Sequence, residues 1–201
     1  MADHDAPTRL PLIGDETDDP KLAATFDHVR STMGRIPNLY RTLGHSPEIL
    51  EAWLAFAWPL RNAATSDRGL RELVIMRTAQ INTVDYEWRQ HWPMALEAGV
   101  TPAQLEDLAD WPASAVFSEQ ERVVLRMTDE LGAAGRIADS AWMALRNHFD
   151  DRQCVELVLT ASFYSCVSRV LEGLQVPLED SVMSTPPVDP TASTPHLEPF
   201  S

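Results

Sequence analysis

Helix-capping patterns recur along the middle of this chain, and they constrain its fold more than any other feature. Residues that commonly cap a helix precede stretches of helically spaced apolar side chains, at Ser46, Ser66 or Asp67, Thr101, Ser118, Asp139 and Asp150. Pro47 follows the first cap, where proline is favoured, and capping-box patterns begin at Thr101 and Ser118. No convincing strand-like alternation accompanies these signals. The sequence therefore predicts an all-α fold.

The two ends of the chain differ from this helical middle. Residues 1–20 are rich in Pro, Asp and Thr without periodicity, which indicates an extended N-terminal arm. Residues 179–201 contain five prolines among Ser and Thr, a composition that predicts a flexible tail. Between them we expect a single helical domain over residues 21–178. A chain of 201 residues with 44% apolar side chains is sufficient for one packed core.

Charge and hydropathy limit the classes of partner. The chain has 30 acidic and 16 basic residues and a formal net charge of -14, which opposes binding to nucleic acid or anionic membranes. No uncharged run approaches the roughly 20 residues that span a bilayer. The first residues are acidic, unlike a secretory signal. We therefore expect a cytoplasmic protein that binds neither nucleic acid nor membranes.

One short pattern occurs twice. Asp67-Arg68 followed by Glu72-Leu73-Val74 recurs 84 positions later (151 minus 67) as Asp151-Arg152 followed by Glu156-Leu157-Val158. Five matching residues at one spacing are also compatible with chance. As a true repeat, the pattern would give two related helical halves packed against each other.

One segment concentrates the side chains that acid/base chemistry uses. On a helix, Glu87 and His91 are four residues apart and share a face, with Tyr86 beside it. We expect the carboxylate to stabilise the imidazolium and raise the pKa of His91. Antiparallel packing of the preceding helix would bring Glu72 close to the same face. The pattern indicates an acid/base site, although Glu–His pairs at this spacing are also common on solvated helices.

The residues around this segment resemble a known family. Arg71-Glu72-Leu73-Val74, Asn82, Tyr86-Glu87-Trp88 and His91 are together similar to the pattern of the carboxymuconolactone decarboxylase family. The resemblance covers roughly residues 37–177. It implies an alkylhydroperoxidase-like helical bundle with an internal duplication, whose halves would span about 37–110 and 118–178. It also implies a homo-oligomer, either a trimer or a hexamer.

The peroxidase branch of that family carries a Cys-x-x-Cys ahead of the histidine, and Val84 and Glu87 occupy those positions here. Cys154 and Cys166 lie in the other half. Thiol peroxidase chemistry needs a thiolate and a resolving thiol, so it is disfavoured. The resemblance to the decarboxylase branch implies cofactor-independent decarboxylation, or a related lyase or isomerase reaction, of a small lactone or unsaturated carboxylic acid.

The resemblance also implies a role for each polar residue of the motif. His91 would donate a proton to carbon or stabilise an enolate oxygen, with Glu87 orienting it. Tyr86 would be a second donor, and Glu72 a relay or orienting carboxylate. Candidates for substrate binding are Arg77, through a substrate carboxylate, and Asn82.

Two other interpretations stay open. Glu72, Glu87 and His91 could hold a divalent metal ion in a lyase or hydrolase, although no His-Glu-x-x-His pattern occurs and we expect no metal. Alternatively, six Trp and seven Met suit a non-catalytic oligomeric binding protein whose Pro-rich tail recruits a partner.

Overall fold

Residues 8–197 are described by the computed structural model, and they form nine α-helices without a strand. The helices are α1 (Pro20–Met33), α2 (Asn38–Leu43), α3 (Pro47–Asn62), α4 (Arg68–Asn82), α5 (Asp85–Glu97), α6 (Pro102–Glu106), α7 (Glu119–Ala134), α8 (Asp139–His148) and α9 (Asp151–Leu174). Short 3-10 turns lie at Leu108–Asp110, Asp180–Val182 and Pro190–Ser193. The predicted all-α fold is confirmed, and α1 and α2 are additions to the predicted helices.

α4 is the central helix of the domain. Every residue from Leu70 to Gln80 is buried, and the helix packs against α5, α7 and α9. Asp67 caps it by accepting a hydrogen bond from the Leu70 amide at 3.1 Å, as the sequence predicts. Because all faces of α4 are covered, its polar residues need partners inside the domain. Two of them, Glu72 and Arg77, find those partners on different neighbouring helices.

A tight turn separates α4 from α5 and sets the position of the site. Thr83 adopts a left-handed conformation with φ of 55°, and the Val84 amide donates back to the Ala79 carbonyl at 3.0 Å. The turn lets α5 pack back against α4. His91 on α5 consequently lies next to Glu72 on α4.

The short sequence repeat has a structural counterpart. Arg68 forms an ion pair with Glu72 at the start of α4, and Arg152 forms the same i,i+4 pair with Glu156 at the start of α9. The two copies then differ, because α4 ends at a turn whereas α9 continues unbroken for 24 residues. The two halves are therefore alike where α4 and α9 begin. They differ after the turn that ends α4, because α5, which carries Tyr86, Glu87 and His91, has no counterpart after a similar turn in α9.

α9 is long and apolar enough to cross a membrane by length and composition alone. Half of its most apolar window is buried inside the domain, and the helix packs against α3, α4, α7 and α8. The apolar side chains of α9 thus pack into the core of the helical domain.

The C-terminal segment is packed, which corrects the prediction of a flexible tail over residues 179–201. Val182, Val188 and Ala192 are buried. The backbone carbonyls of the segment accept hydrogen bonds from three side chains of α4 and α5, Arg77, Trp88 and Arg89. Such distant donors leave no local pattern in the sequence. Residues 198–201 lie outside the described part of the chain.

The N-terminal residues 8–19 contain no helix, in keeping with the predicted extended arm, of which residues 1–7 lie outside the described range. Asp19 ends the arm by capping α1, since its carboxylate accepts hydrogen bonds from the Lys21 and Leu22 amides at 2.9 Å.

Candidate functional site

Glu72 and His91 form a buried hydrogen-bonded pair where α4 packs against α5. His91 Nδ1 lies 2.8 Å from Glu72 Oε2, and the two side chains are 4% and 0% exposed. The second carboxylate oxygen of Glu72 accepts a hydrogen bond from Arg68. Tyr164 of α9 packs edge-on against the imidazole, with ring centroids 5.0 Å apart. The structure therefore brings Glu72 to His91, as antiparallel packing predicts.

Burial controls the protonation of this pair. Burial lowers the pKa of His91 below its usual value, although Glu72 acts in the opposite direction. Burial opposes the ionisation of Glu72, but His91, Arg68 and Arg61 together lower its pKa below the usual value. At neutral pH the pair is thus an ionised Glu72 and a neutral His91. The predicted rise in the pKa of His91 is wrong, because desolvation outweighs the carboxylate.

The hydrogen bond to Glu72 also selects the tautomer of His91. A carboxylate accepts only, so Nδ1 carries the proton and Nε2 keeps its lone pair. Within residues 8–197, Nε2 has no hydrogen-bond partner. The neutral imidazole is therefore arranged to accept a proton.

Glu87 does not orient His91, which corrects the prediction made from their spacing. Its carboxyl group faces α9, where Oε2 accepts a hydrogen bond from Ser168 Oγ at 3.2 Å. Among residues 8–197, Oε1 has no hydrogen-bond partner. Burial raises the pKa of Glu87 well above its usual value, and the hydrogen bond and Arg61 do not offset it. Burial therefore favours the neutral carboxylic acid form of Glu87, the form that can donate a proton.

Tyr86 holds the C-terminal segment in place. Its hydroxyl donates to Glu179 Oε1 at 2.8 Å and accepts from the Leu39 amide at 3.3 Å. Burial, followed by the charge of Glu179, raises its pKa well above the usual value. The hydroxyl proton is thus directed at Glu179, although Tyr86 also lines the cavity beside His91, so its role as a second donor to substrate stays a prediction.

The two residues predicted to bind substrate face away from His91. Arg77 is fully buried and pairs with Asp129 of α7 at 2.6 Å. Asn82 donates to the Thr78 carbonyl one turn earlier at 2.9 Å. Neither side chain lines the cavity beside His91. Both predictions are corrected, because spacing along α4 does not show which of its faces meets α5 and which meets α7.

A partly enclosed cavity of about 50 Å³ lies beside His91. Apolar side chains such as Trp53 and Phe163 form most of its wall, and Glu87 and Tyr164 add polar groups near the imidazole. This volume holds a few water molecules or the reacting part of a small ligand. Electrostatic interactions are strengthened in such an apolar, partly enclosed setting.

Three further residues of the site were not identified from the sequence. Arg61 of α3 donates through Nε to the Tyr164 hydroxyl at 3.2 Å, and burial raises the pKa of Tyr164 to about 12. Ser168 lies one turn further along α9 and bonds Glu87. Tyr164 and Ser168 lie four residues apart on α9, but Ser162, Ser165 and Arg169 lie among them, so the sequence carries no signal that singles out the pair.

The described residues offer no group of three or more His, Cys, Asp and Glu side chains that could hold a metal ion. Glu72 is directed at His91 and Arg68, while Glu87 faces α9. The geometry therefore does not support the predicted alternative of a metal held by Glu72, Glu87 and His91. Cys154 is buried and Cys166 is exposed on α9, and neither lines the cavity.

Sequence comparison finds a family match in the region that contains the site. Residues 47–130 match the carboxymuconolactone decarboxylase family, and this range contains Glu72, Glu87 and His91. The chain is also similar to the uncharacterized protein YdfG of Bacillus subtilis (strain 168). The identity is 26% over 106 residues, which make up 52% of this chain and 72% of that protein.

Two solved structures share the fold. The alkylhydroperoxidase AhpD core of an uncharacterized peroxidase-related protein from Ralstonia eutropha JMP134 has a TM-score of 0.74 at 20% identity, covering 94% of this chain and 98% of that one. The debrominase Bmp8, in complex with 2,3,4-tribromopyrrole, has a TM-score of 0.71 at 15% identity, covering 89% and 97%. At these identities the likeness shows the fold alone. Together with the family match over residues 47–130, it shows that the chain resembles the carboxymuconolactone decarboxylase family in sequence and alkylhydroperoxidase-like proteins in fold.

Proposed function

We propose that this protein is a cofactor-independent acid/base enzyme, most specifically a decarboxylase or a related lyase or isomerase. Its substrate is a small lactone or unsaturated carboxylic acid. One observation carries the proposal: a neutral imidazole, held by Glu72 through Nδ1, leaves Nε2 of His91 unpartnered beside a partly enclosed apolar cavity. The match to the carboxymuconolactone decarboxylase family supports an enzyme-like function.

The site offers an acid and a base with different protonation states. Neutral His91 accepts a proton at Nε2, and the ionised Glu72 stabilises the resulting imidazolium. Neutral Glu87 donates a proton. Surroundings that shift the pKa values of neighbouring groups apart in this way are typical of acid/base sites.

In decarboxylation, the bond between carbon and the carboxylate breaks, and its electron pair passes into the conjugated carbonyl group. The product of that step is a dienolate, and carbon then takes up one proton. Glu87 supplies this proton, and a solvent proton taken up by the neutral imidazole at Nε2 then passes to Glu87 and restores its acid form. In isomerisation, His91 removes a proton from carbon and Glu87 supplies one at another carbon, so that no net proton is consumed.

The chain lacks the thiols that peroxidase chemistry needs in this position. Val84 and Glu87 stand where a peroxidase would carry its Cys-x-x-Cys. Of these two positions, Glu87 lines the cavity and supplies the acid, whereas Val84 is buried in the apolar core.

His91→Ala tests the proposed function. We expect turnover to fall by at least about a hundredfold, because general acid–base catalysis contributes factors of that size. Turnover is measured as CO₂ release, and as deuterium incorporation from D₂O, over a panel of small lactones and unsaturated acids. Thermal unfolding should show that the variant remains folded.

His148→Ala is the matched control, since His148 lies on α8 and does not line the cavity. It should turn over the panel like the wild type. Unchanged turnover in folded His91→Ala would end the proposal.

A further inference from the structure

Arg61 is a half-buried arginine that forms no direct ion pair with a carboxylate of residues 8–197. Its Nε donates to the Tyr164 hydroxyl at 3.2 Å. Among residues 8–197, its two terminal nitrogens have neither a hydrogen bond nor an ion pair. Arg77 and Arg89, which are also buried, pair with Asp129 and Asp85. An arginine at this depth normally has such a partner, so the free end of Arg61 is available to a ligand.

The free end of Arg61 lies at the boundary between two cavities. Arg61 lines the partly enclosed cavity beside His91, and it also lines an open cleft of about 590 Å³. Met33 and Met94 line both as well. Three flexible side chains therefore separate the cleft from the site. A ligand that enters through the cleft meets Arg61 before it meets His91.

The cleft is locally basic in an acidic protein. Arg61, Arg68 and Arg71 line it against one carboxylate, that of the exposed Glu97, whereas the whole chain has a net charge of -14. Arg68 is paired with Glu72, and Arg71 donates to backbone carbonyls of the neighbouring turn. Only Arg61 of the three has both terminal nitrogens unused within the described residues. A small anion is thus drawn to the cleft and bound at its inner end.

We infer that Arg61 is the receptor for the carboxylate of a small organic acid, whose reacting part lies in the cavity beside His91 and whose remaining part extends into the cleft. This inference rests on the proposed function, and it replaces Arg77 with Arg61 as the residue that binds a substrate carboxylate. The planar guanidinium can form two parallel hydrogen bonds to a carboxylate, which gives orientation as well as affinity. Tyr164 fixes the guanidinium plane through Nε, and Tyr164 also contacts His91. The carboxylate receptor and the base are therefore positioned by one side chain.

Benzoate and its neutral amide, benzamide, test the inference by titration of the full chain with NMR detection, including the arginine Nε–H signals. We expect benzoate to bind the wild type more tightly than benzamide and to shift the Arg61 Nε–H signal. In Arg61→Gln, the Kd of benzoate should rise about tenfold or more, while that of benzamide stays the same. Arg169→Gln removes an equal charge from the exposed face of α9 and should bind benzoate like the wild type.

Equal benzoate affinity in Arg61→Gln and the wild type would overturn the inference, as would equal affinity of the wild type for the two probes or no benzoate binding at all. If Arg61→Gln fails to fold, Arg61→Lys tests the inference instead. Lysine keeps the positive charge but cannot form two parallel hydrogen bonds to a carboxylate, so the benzoate affinity should fall. Wild-type affinity in that variant would contradict the assignment. Benzoate binding should survive in His91→Ala, so failure of the binding site and failure of the proposed reaction are separately observable.

Discussion

At the scale of single residues, the pKa values of two buried carboxyl groups in one site are shifted in opposite directions. Glu72 has Arg68 and His91 within hydrogen-bond reach, and these cationic or donating partners lower its pKa despite burial. Glu87 has only the hydroxyl of Ser168, so burial dominates and its pKa is raised. The difference comes from neighbours on other helices, since both residues are glutamates at nearly the same depth.

Glu87→Gln should remove a pH dependence of stability. Because its pKa is raised in the folded state, the folded protein retains a proton that the unfolded chain releases above about pH 4.5. Wild-type stability therefore falls with rising pH from that point, by about 1.4 kcal/mol per pH unit, until the folded-state pKa is reached. The neutral glutamine avoids this loss. The variant should gain stability relative to the wild type between about pH 5 and pH 7.

The measurement is urea unfolding at several pH values, with Glu97→Gln as the control because Glu97 is exposed on the same helix. The control should differ from the wild type by a constant amount. A constant difference for Glu87→Gln as well would show that Glu87 is ionised in the folded protein.

The residues of the site could be predicted from the sequence better than their partners could. Spacing placed Glu87 and His91 on one helix, and antiparallel packing brought Glu72 to His91. The orienting role belongs to Glu72 rather than Glu87, because the α5 face that carries Glu87 meets α9. Arg61 and Tyr164 were missed because they belong to helices distant in sequence, and no local pattern encodes those contacts.

At the scale of helices, local signals were the most predictable part of the fold. Capping residues at Asp67, Thr101, Ser118 and Asp150 do begin helices, since the cap and the amides it satisfies are within three residues of each other. The packed C-terminal segment was not predictable in this way. Its buried residues are small or isolated, and its hydrogen-bond donors lie on α4 and α5.

Asp129→Asn tests how strongly that segment and α7 are tied to α4. Asp129 pairs with the buried Arg77 at 2.6 Å and accepts from Trp111 and from the His196 amide. Removing its charge leaves a buried guanidinium unpaired, so the free energy of unfolding should fall by about 3–5 kcal/mol. Urea unfolding measures this loss.

Asp27→Asn is the control for a lost aspartate charge, because Asp27 forms an exposed ion pair with Arg30. Its effect should stay below about 1 kcal/mol. A loss in Asp129→Asn no larger than in Asp27→Asn would show that the Arg77–Asp129 pair does not hold the segment.

At the scale of the whole molecule, the protein has a net negative charge, but the cleft that leads to its site is lined by basic residues. The net charge of -14 is carried outside, while Arg61, Arg68 and Arg71 gather at the cleft that leads to His91. Overall charge therefore indicates which large partners are disfavoured, whereas the cleft determines the charge of a small ligand. Assembly into a trimer or hexamer remains a prediction from the family resemblance.

The protonation state of His91 tests the central claim most directly, because the proposed chemistry requires a neutral imidazole with a free Nε2. Nitrogen-15 NMR of the histidine ring at pH 7, assigned by comparison with His91→Ala, distinguishes the two neutral tautomers and the imidazolium. We predict a proton on Nδ1, none on Nε2, and titration below the usual histidine pKa of 6.5. A proton on Nε2 at pH 7, whether in the imidazolium or in the other tautomer, would contradict the proposed site.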